Sequence, residues 1–262
     1  MKILVTLFGI FLSIFCVREV NGGTAVKDEY FPHSAIRTVK TTSGDTYDCI
    51  DKLSQPGLQN PALVEKIKLG KNGTIHQSVG DVLPNGSSKN ESKGFDLDKI
   101  WAGQRCPAGT VPIPQKTGKL QKFVFPPKAL RQMASSDYNG GTQFVGIVVD
   151  EGELMGGHAE MTVWNPNPVS PGQYSAASII IENGTEAIEA GWIVHPDLYQ
   201  DTKTRLYTAW RNEKGGYYNT DYPGFVVVNE DIPLNYAFPR TSDTFGESDQ
   251  VKITIQRTVF YY

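Results

Sequence analysis

The feature that most constrains this chain is a train of short β-prone runs in its second half. QFVGIVVD (143–150), AEMTVWNP (159–166), SAASIIIE (175–182), AGWIVHP (190–196), RLYTAWR (205–211), GFVVVNE (224–230) and VKITIQRTVFYY (251–262) are parted by clusters of Gly, Pro, Asn and Asp. Short runs rich in β-branched and aromatic residues, at this spacing and with turn residues between them, predict an antiparallel β-sandwich rather than alternating strands and helices. In the last run Val251, Ile253 and Ile255 alternate with Lys252, Thr254 and Gln256, as a strand with one buried face requires. The chain then stops at Tyr262 with no polar tail, and an edge strand ending in Val-Phe-Tyr-Tyr would leave backbone and aromatic surface uncovered. The sandwich is therefore expected to be incomplete.

The first half reads differently. Lys2 precedes an apolar run of fifteen residues, Ile3 to Val17, followed by Gly22 and Gly23. That is short of the roughly 20 residues a membrane span needs, so residues 1–22 are read as a secretory signal peptide and excluded from the fold. The mature protein is expected to be secreted, in the apoplast, cell wall or vacuole, with no membrane attachment once the signal is removed. Residues 23–106 predict a small loop-rich region with one short helix over 61–69, where Leu63, Val64 and Ile67 share a face. Five prolines between Pro107 and Pro127 make 107–135 a proline-rich linker, poor in regular structure, and 136–262 hold the sandwich.

Without the leader, Cys49 and Cys106 are the remaining cysteines. In an oxidising compartment they are expected to bridge, two separate buried thiols being the alternative. Asn-X-Ser/Thr sequons at Asn72, Asn85, Asn90 and Asn183 mark expected glycosylated surface loops. Residues 23–134 carry 16 Lys and Arg against 10 Asp and Glu, a net of +6, whereas 135–262 carry 7 against 17, a net of −10. Such a split reads as two regions that attract one another, or as compositional drift. No basic stripe with interleaved aromatics points to nucleic acid.

Several chemistries lack their residues. His158-Ala159-Glu160 echoes a zinc-deaminase motif without the downstream cysteines, no HExxH is present, and no Gly-x-Ser-x-Gly elbow or phosphate-binding glycine loop occurs. No metal or cofactor is expected. Carboxylates remain: Glu182, Glu186 and Glu189 precede Trp192, and Asp197 and Asp201 follow it. Two carboxylates of unlike pKa can hydrolyse a peptide bond, one taking a proton from water and the other giving one to the amide. Composition does not choose among these five.

The segments RTVKTTSGDTYDCIDKLSQPGLQNPALVEKIKL (37–69), GQRCPAGTVPIP (103–114), EAIEAGWIVHPDLYQDTKTRLYTAW (186–210) and GGYYNTDYPGFVVVNEDIPL (215–234) resemble the neprosin family of plant secreted proteins. The resemblance implies an N-terminal activation segment ahead of a β-sandwich glutamic endopeptidase that cleaves after proline. It implies that Glu189, in Glu-Ala-Gly-Trp, is the first acid of the catalytic pair, facing a groove between sheets. Gly191 would let substrate backbone approach, and Trp192 would wall the cleft if the strand bulges at the glycine, or else pack in the core. The resemblance also makes a Cys49–Cys106 bond within the activation segment the expectation. The chain departs from the family at four points. The second glutamate is expected beyond the strand matched by 251–262, Ile193 replaces a Gln, Tyr217 and Tyr222 stand at two cysteine positions, and much of the sandwich is missing.

Two functional readings follow. In the first, the chain is a secreted zymogen whose basic activation segment covers the acidic half and is removed in the linker, between Pro127 and Lys128. Its substrate is a proline-containing peptide or protein, and the 262-residue form itself has little or no activity. In the second, it is a catalytically dead β-sandwich that binds cell-wall glycans or proline-rich proteins through Trp164, Trp210, Tyr217, Tyr218 and Tyr222.

Overall fold

The computed structural model describes residues 2–7, 10–15, 34–59, 99–115, 146–147, 149, 154–213, 215–221 and 224–257. The described strands are β1 (Lys2–Leu7), β2 (Ile10–Phe15), β3 (Arg37–Lys40), β4 (Thr46–Asp51), β5 (Thr110–Pro114), β6 (Gly156–Thr162), β7 (Ser175–Asn183), β8 (Glu186–Val194), β9 (Arg205–Asn212), β10 (Gly215–Tyr218), β11 (Phe225–Val227) and β12 (Gln250–Arg257). One helical turn, α1 (Pro196–Tyr199), follows β8. The strands form a five-stranded sheet β11-β2-β1-β12-β6, a four-stranded sheet β10-β9-β8-β7 and a three-stranded sheet β3-β4-β5, all with antiparallel pairing.

The chain is a mainly β, antiparallel sandwich. Its core shows the period-2 alternation of the sequence: Ile188, Ala190 and Trp192 of β8 and Leu206 and Trp210 of β9 meet Met161, Val251, Ile253, Ile255, Phe225 and Val227 of the five-stranded sheet. Six of the seven predicted runs contain a strand. In the seventh, 143–150, the described residues carry none, and Ile147 is exposed. The 61–69 helix lies outside the described residues.

Register in the four-stranded sheet is fixed by a two-residue hairpin. Asn183 pairs with Glu186, leaving Gly184 and Thr185 as the loop. Gly184 sits at φ +61°, the left-handed region that a glycine enters without a Cβ clash. This turn sets Ile180 opposite Glu189 and Ser178 opposite Gly191.

Two regions differ from the sequence reading. The proline-rich stretch begins with a strand: β5 pairs Pro112 with Cys49 and Pro114 with Tyr47. Prolines are tolerated there because, among the described residues, β5 is an edge strand with ladder bonds on one side. Residues 2–7 and 10–15, read as part of a leader outside the fold, form β1 and β2 and lie between β12 and β11. An apolar extended run can complete such a sheet through its backbone alone.

The N-terminal sheet shares the sandwich core. Val39, Tyr47, Cys49, Ile50, Trp101, Val111 and Ile113 pack with Ile232, Leu234 and Tyr236. Tyr47 OH donates to Leu234 O at 2.9 Å and Trp101 Nε1 donates to Asp231 O at 2.5 Å. The buried Gln55 side chain donates to Val227 O and accepts from Val227 N, at 2.9 and 2.7 Å. Cys49 and Cys106 are bonded, closing this unit across 57 positions.

Candidate active site

Alternation divides the four-stranded sheet into two faces. Ile188, Ala190 and Trp192 enter the core, so Glu189, Gly191 and Ile193 point to the opposite face, away from the five-stranded sheet. Glu189 does not face a groove between the two sheets. It is nevertheless buried, at 7% exposure, because β7, β9 and β10 bring cover from both sides.

Its Oε1 accepts two hydrogen bonds, from Ser178 Oγ on β7 at 2.7 Å and from the Tyr207 hydroxyl on β9. Its Oε2 is buried and meets no hydrogen-bond partner among the described residues. Burial raises the Glu189 pKa, the Tyr207 and Ser178 hydrogen bonds pull it back, and the Glu182 charge raises it further; the net direction is upward. Tyr207 is itself fully buried, and burial together with the Glu189 charge holds its hydroxyl well above the ordinary phenol range, so it remains a donor.

The neighbouring groups follow from register. One step along the face, Glu182 pairs across Ala187 with Arg211, and the two side chains form an ion pair while Arg211 also donates to Thr185 O at 3.0 Å. On the other side, Tyr218 of β10 lies 6.3 Å from Tyr207 between ring centroids. His195 follows β8, stacked on Tyr174 at 5.6 Å and edge-on to Tyr218 at 5.9 Å. Burial lowers the pKa of His195, against the opposing pull of Asp197. Ile193, Tyr207, Ala209 and Tyr218 form a small second core with Leu198 and Tyr199, which gives Ile193 an apolar setting.

The other singled-out residues separate. Trp192 does not wall a cleft: β8 pairs without interruption on both sides, no bulge turns the ring, and its Nε1 donates to Thr162 O at 2.9 Å inside the sandwich. Gly191 has a packing reason first. A Cβ there would fall on Ala177 O and lie 2.7 Å from the Ser178 Cα, so the glycine admits the backbone of β7. Asp197 accepts from Gly172 N at 2.7 Å, and Asp201 holds Arg205 at 2.5 Å. Asn183 lies exposed at the β7–β8 hairpin, while Asn72, Asn85, Asn90, Pro127 and Lys128 lie outside the described residues. Of the proposed binding aromatics, Trp210 and Tyr218 are buried, Tyr217 packs on Trp210 at 5.3 Å, Trp164 is 38% exposed, and Tyr222 lies outside the described residues.

The N-terminal unit docks away from Glu189. Basic Lys52 and Arg105 pair with acidic Glu230 and Asp231 on the 227–236 segment, so the charge asymmetry is used in part at this junction. At the rim, Asp45 binds Arg205 at 2.8 Å, Lys203 donates to Ser43 O at 2.9 Å, and Arg205 lies 5.1 Å over the Tyr199 ring.

Sequence reasoning missed Ser178 and Tyr207, and singled out Tyr218 only as a binding aromatic. The usable signal was Asn183-Gly184-Thr185: a two-residue hairpin there sets Ser178 and Glu189 on one face. Tyr207 needs the β8–β9 register, which the ten-residue connection 195–204 leaves unspecified.

Fold and site together define a β-sandwich protein with a buried, one-sidedly hydrogen-bonded glutamate in the outer face of a sheet. The Neprosin family model matches residues 171–259, the stretch that carries β7 to β12 with Glu189, Ser178 and Tyr207. Among the described residues no helix is long and apolar enough to cross a membrane.

Proposed function

We propose that this chain is a secreted glutamic peptidase precursor that cuts proline-containing substrates after proline, with Glu189 one of its two carboxylates. The observation that carries the reading is the asymmetry of Glu189: one oxygen bound twice, the other buried and without a hydrogen-bond partner among the described residues. The Neprosin match over 171–259 supports the peptidase class, and the raised pKa fits the member of the pair that is protonated at acidic pH.

In such a reaction water adds its oxygen to the carbonyl carbon and loses a proton to the ionised carboxylate. The protonated carboxyl gives its proton to the amide nitrogen as the C–N bond breaks. A carboxyl and an amine result, and the two acids have exchanged protonation states. Glu182 is the other carboxylate that the four described strands place on this face, and Arg211 engages it in an ion pair, unlike the solitary Oε2 of Glu189.

The test is cleavage of a proline-containing peptide at acidic pH by the protein as its cells make it, beside Glu189→Gln. Loss of cleavage in the variant is the expected result. Cleavage that survives the substitution removes Glu189 from the chemistry.

A further inference from the structure

We infer that Tyr207 and Ser178 are positioning residues that confine the Glu189 proton to Oε2, so that a single oxygen of this carboxyl exchanges protons. The geometry supplies the argument. Gly191 lies in register between Ser178 on β7 and Tyr207 on β9. With no side chain at 191, both hydroxyls reach along β8 to the carboxylate two residues away, and both end on Oε1. A carboxylate oxygen has about two acceptor sites, so two donors fill Oε1 and leave the proton Oε2.

The surroundings keep that arrangement fixed. From β7 the groups facing the carboxylate are Ser178 and Glu182, from β9 Tyr207 and Arg211, and from β10 Tyr218. Arg211 is engaged by Glu182 and Thr185 O, and the Tyr218 hydroxyl, pushed up by burial and by the Glu189 charge, stays neutral. Tyr207 also stays protonated throughout the range in which a carboxyl titrates. Two neutral donors thus act on one oxygen at every working pH. Burial favours the acid form and the two donors favour the ionised form, so the hydroxyls set where the balance between them falls.

The proton's location stands on the hydrogen bonds; its use as the amide's proton source rests on the reading given under Proposed function. The two are tested apart. Side-chain carboxyl carbons of carbon-13 glutamate-labelled protein are titrated in the 262-residue chain, with Glu189→Gln identifying the resonance, and no turnover is required. Tyr207→Phe and Ser178→Ala each raise the Glu189 midpoint by about one pH unit, the worth of a hydrogen bond to a charged group, and Ser178→Thr restores it. Ser178 is half-buried, so its variants report even where Tyr207→Phe fails to fold. Midpoints unmoved in Ser178→Ala, or moved equally in Ser178→Thr, overturn the inference. In the active protein the acidic limb of the kcat/KM profile shifts with the same sign, whereas a merely structural role lowers activity without moving the limb.

Discussion

At the scale of a residue, Glu189 is an acid held at a cost. Its folded-state pKa lies above its unfolded value, so its contribution to stability is full below the unfolded pKa and is lost as pH rises through the folded one. Glu189→Gln is therefore expected to raise the unfolding midpoint in urea near about pH 7 and to leave it nearly unchanged near about pH 3. An equal effect at both pH values would mean that the substitution acts through shape. The residue was legible only through a motif. Five carboxylates crowd the stretch 182–201, and what separates Glu189 from Asp197 or Asp201 is its burial between three strands, whereas those two answer a loop amide and an arginine. Burial of that kind is a property of the assembled sheet.

At the scale of an element, β8 carries two functions on two faces. Trp192 belongs to the core, and Trp192→Ala is expected to destabilise the fold by about 3–5 kcal/mol while leaving the Glu189 titration midpoint in place. Circular-dichroism melts read the first effect and the carboxyl titration reads the second. The sequence made these two faces only partly readable: period 2 sets Ile188, Ala190 and Trp192 on the side opposite Glu189, but Ala187 to Val194 are all buried, so no polar face marks the strand. Strand β5, inside the stretch read as a proline-rich linker, was not legible for a different reason: proline density argues against a central strand but is silent about an edge, and edge position depends on the pairing of β4 with β3 and β5. The turn at Gly184 lies between these cases, a local signal whose consequence, the meeting of Ser178 with Glu189, appears only when the hairpin is written out residue by residue.

At the scale of the whole molecule, the N-terminal unit is joined to the sandwich by a shared core and by an acid-sensitive rim. Burial alone would raise the pKa of Asp45, but hydrogen bonds from Arg205 and Ser43 and the charges of Arg205 and Lys203 bring it below the model-compound value of 3.8. A depressed pKa gives stability that is present above the unfolded value and lost as pH falls through the folded one. Asp45→Asn is thus expected to lower the thermal midpoint near neutrality and to flatten its decline below about pH 4, read by melts across the acidic range. An unaltered decline would show that the rim contributes nothing to acid sensitivity. Tyr47, Trp101 and Gln55 lie deeper and carry no titration in that range, so acid loosens the edge of the junction before its centre. The five-stranded sheet has a further consequence. Among the described residues β12 has β1 on one side and β11 has β2 as its one neighbour, so cutting the chain after residue 22 would leave of this sheet a β12–β6 pair and a separate β11. A chain starting at Gly23 is expected to elute as larger species on size exclusion than the 262-residue chain, through the bared flank of β12. The first residues thus act as the keystone of this layer: β1 and β2 alone bridge β12 to β11 among the described residues, and their loss parts the layer in two.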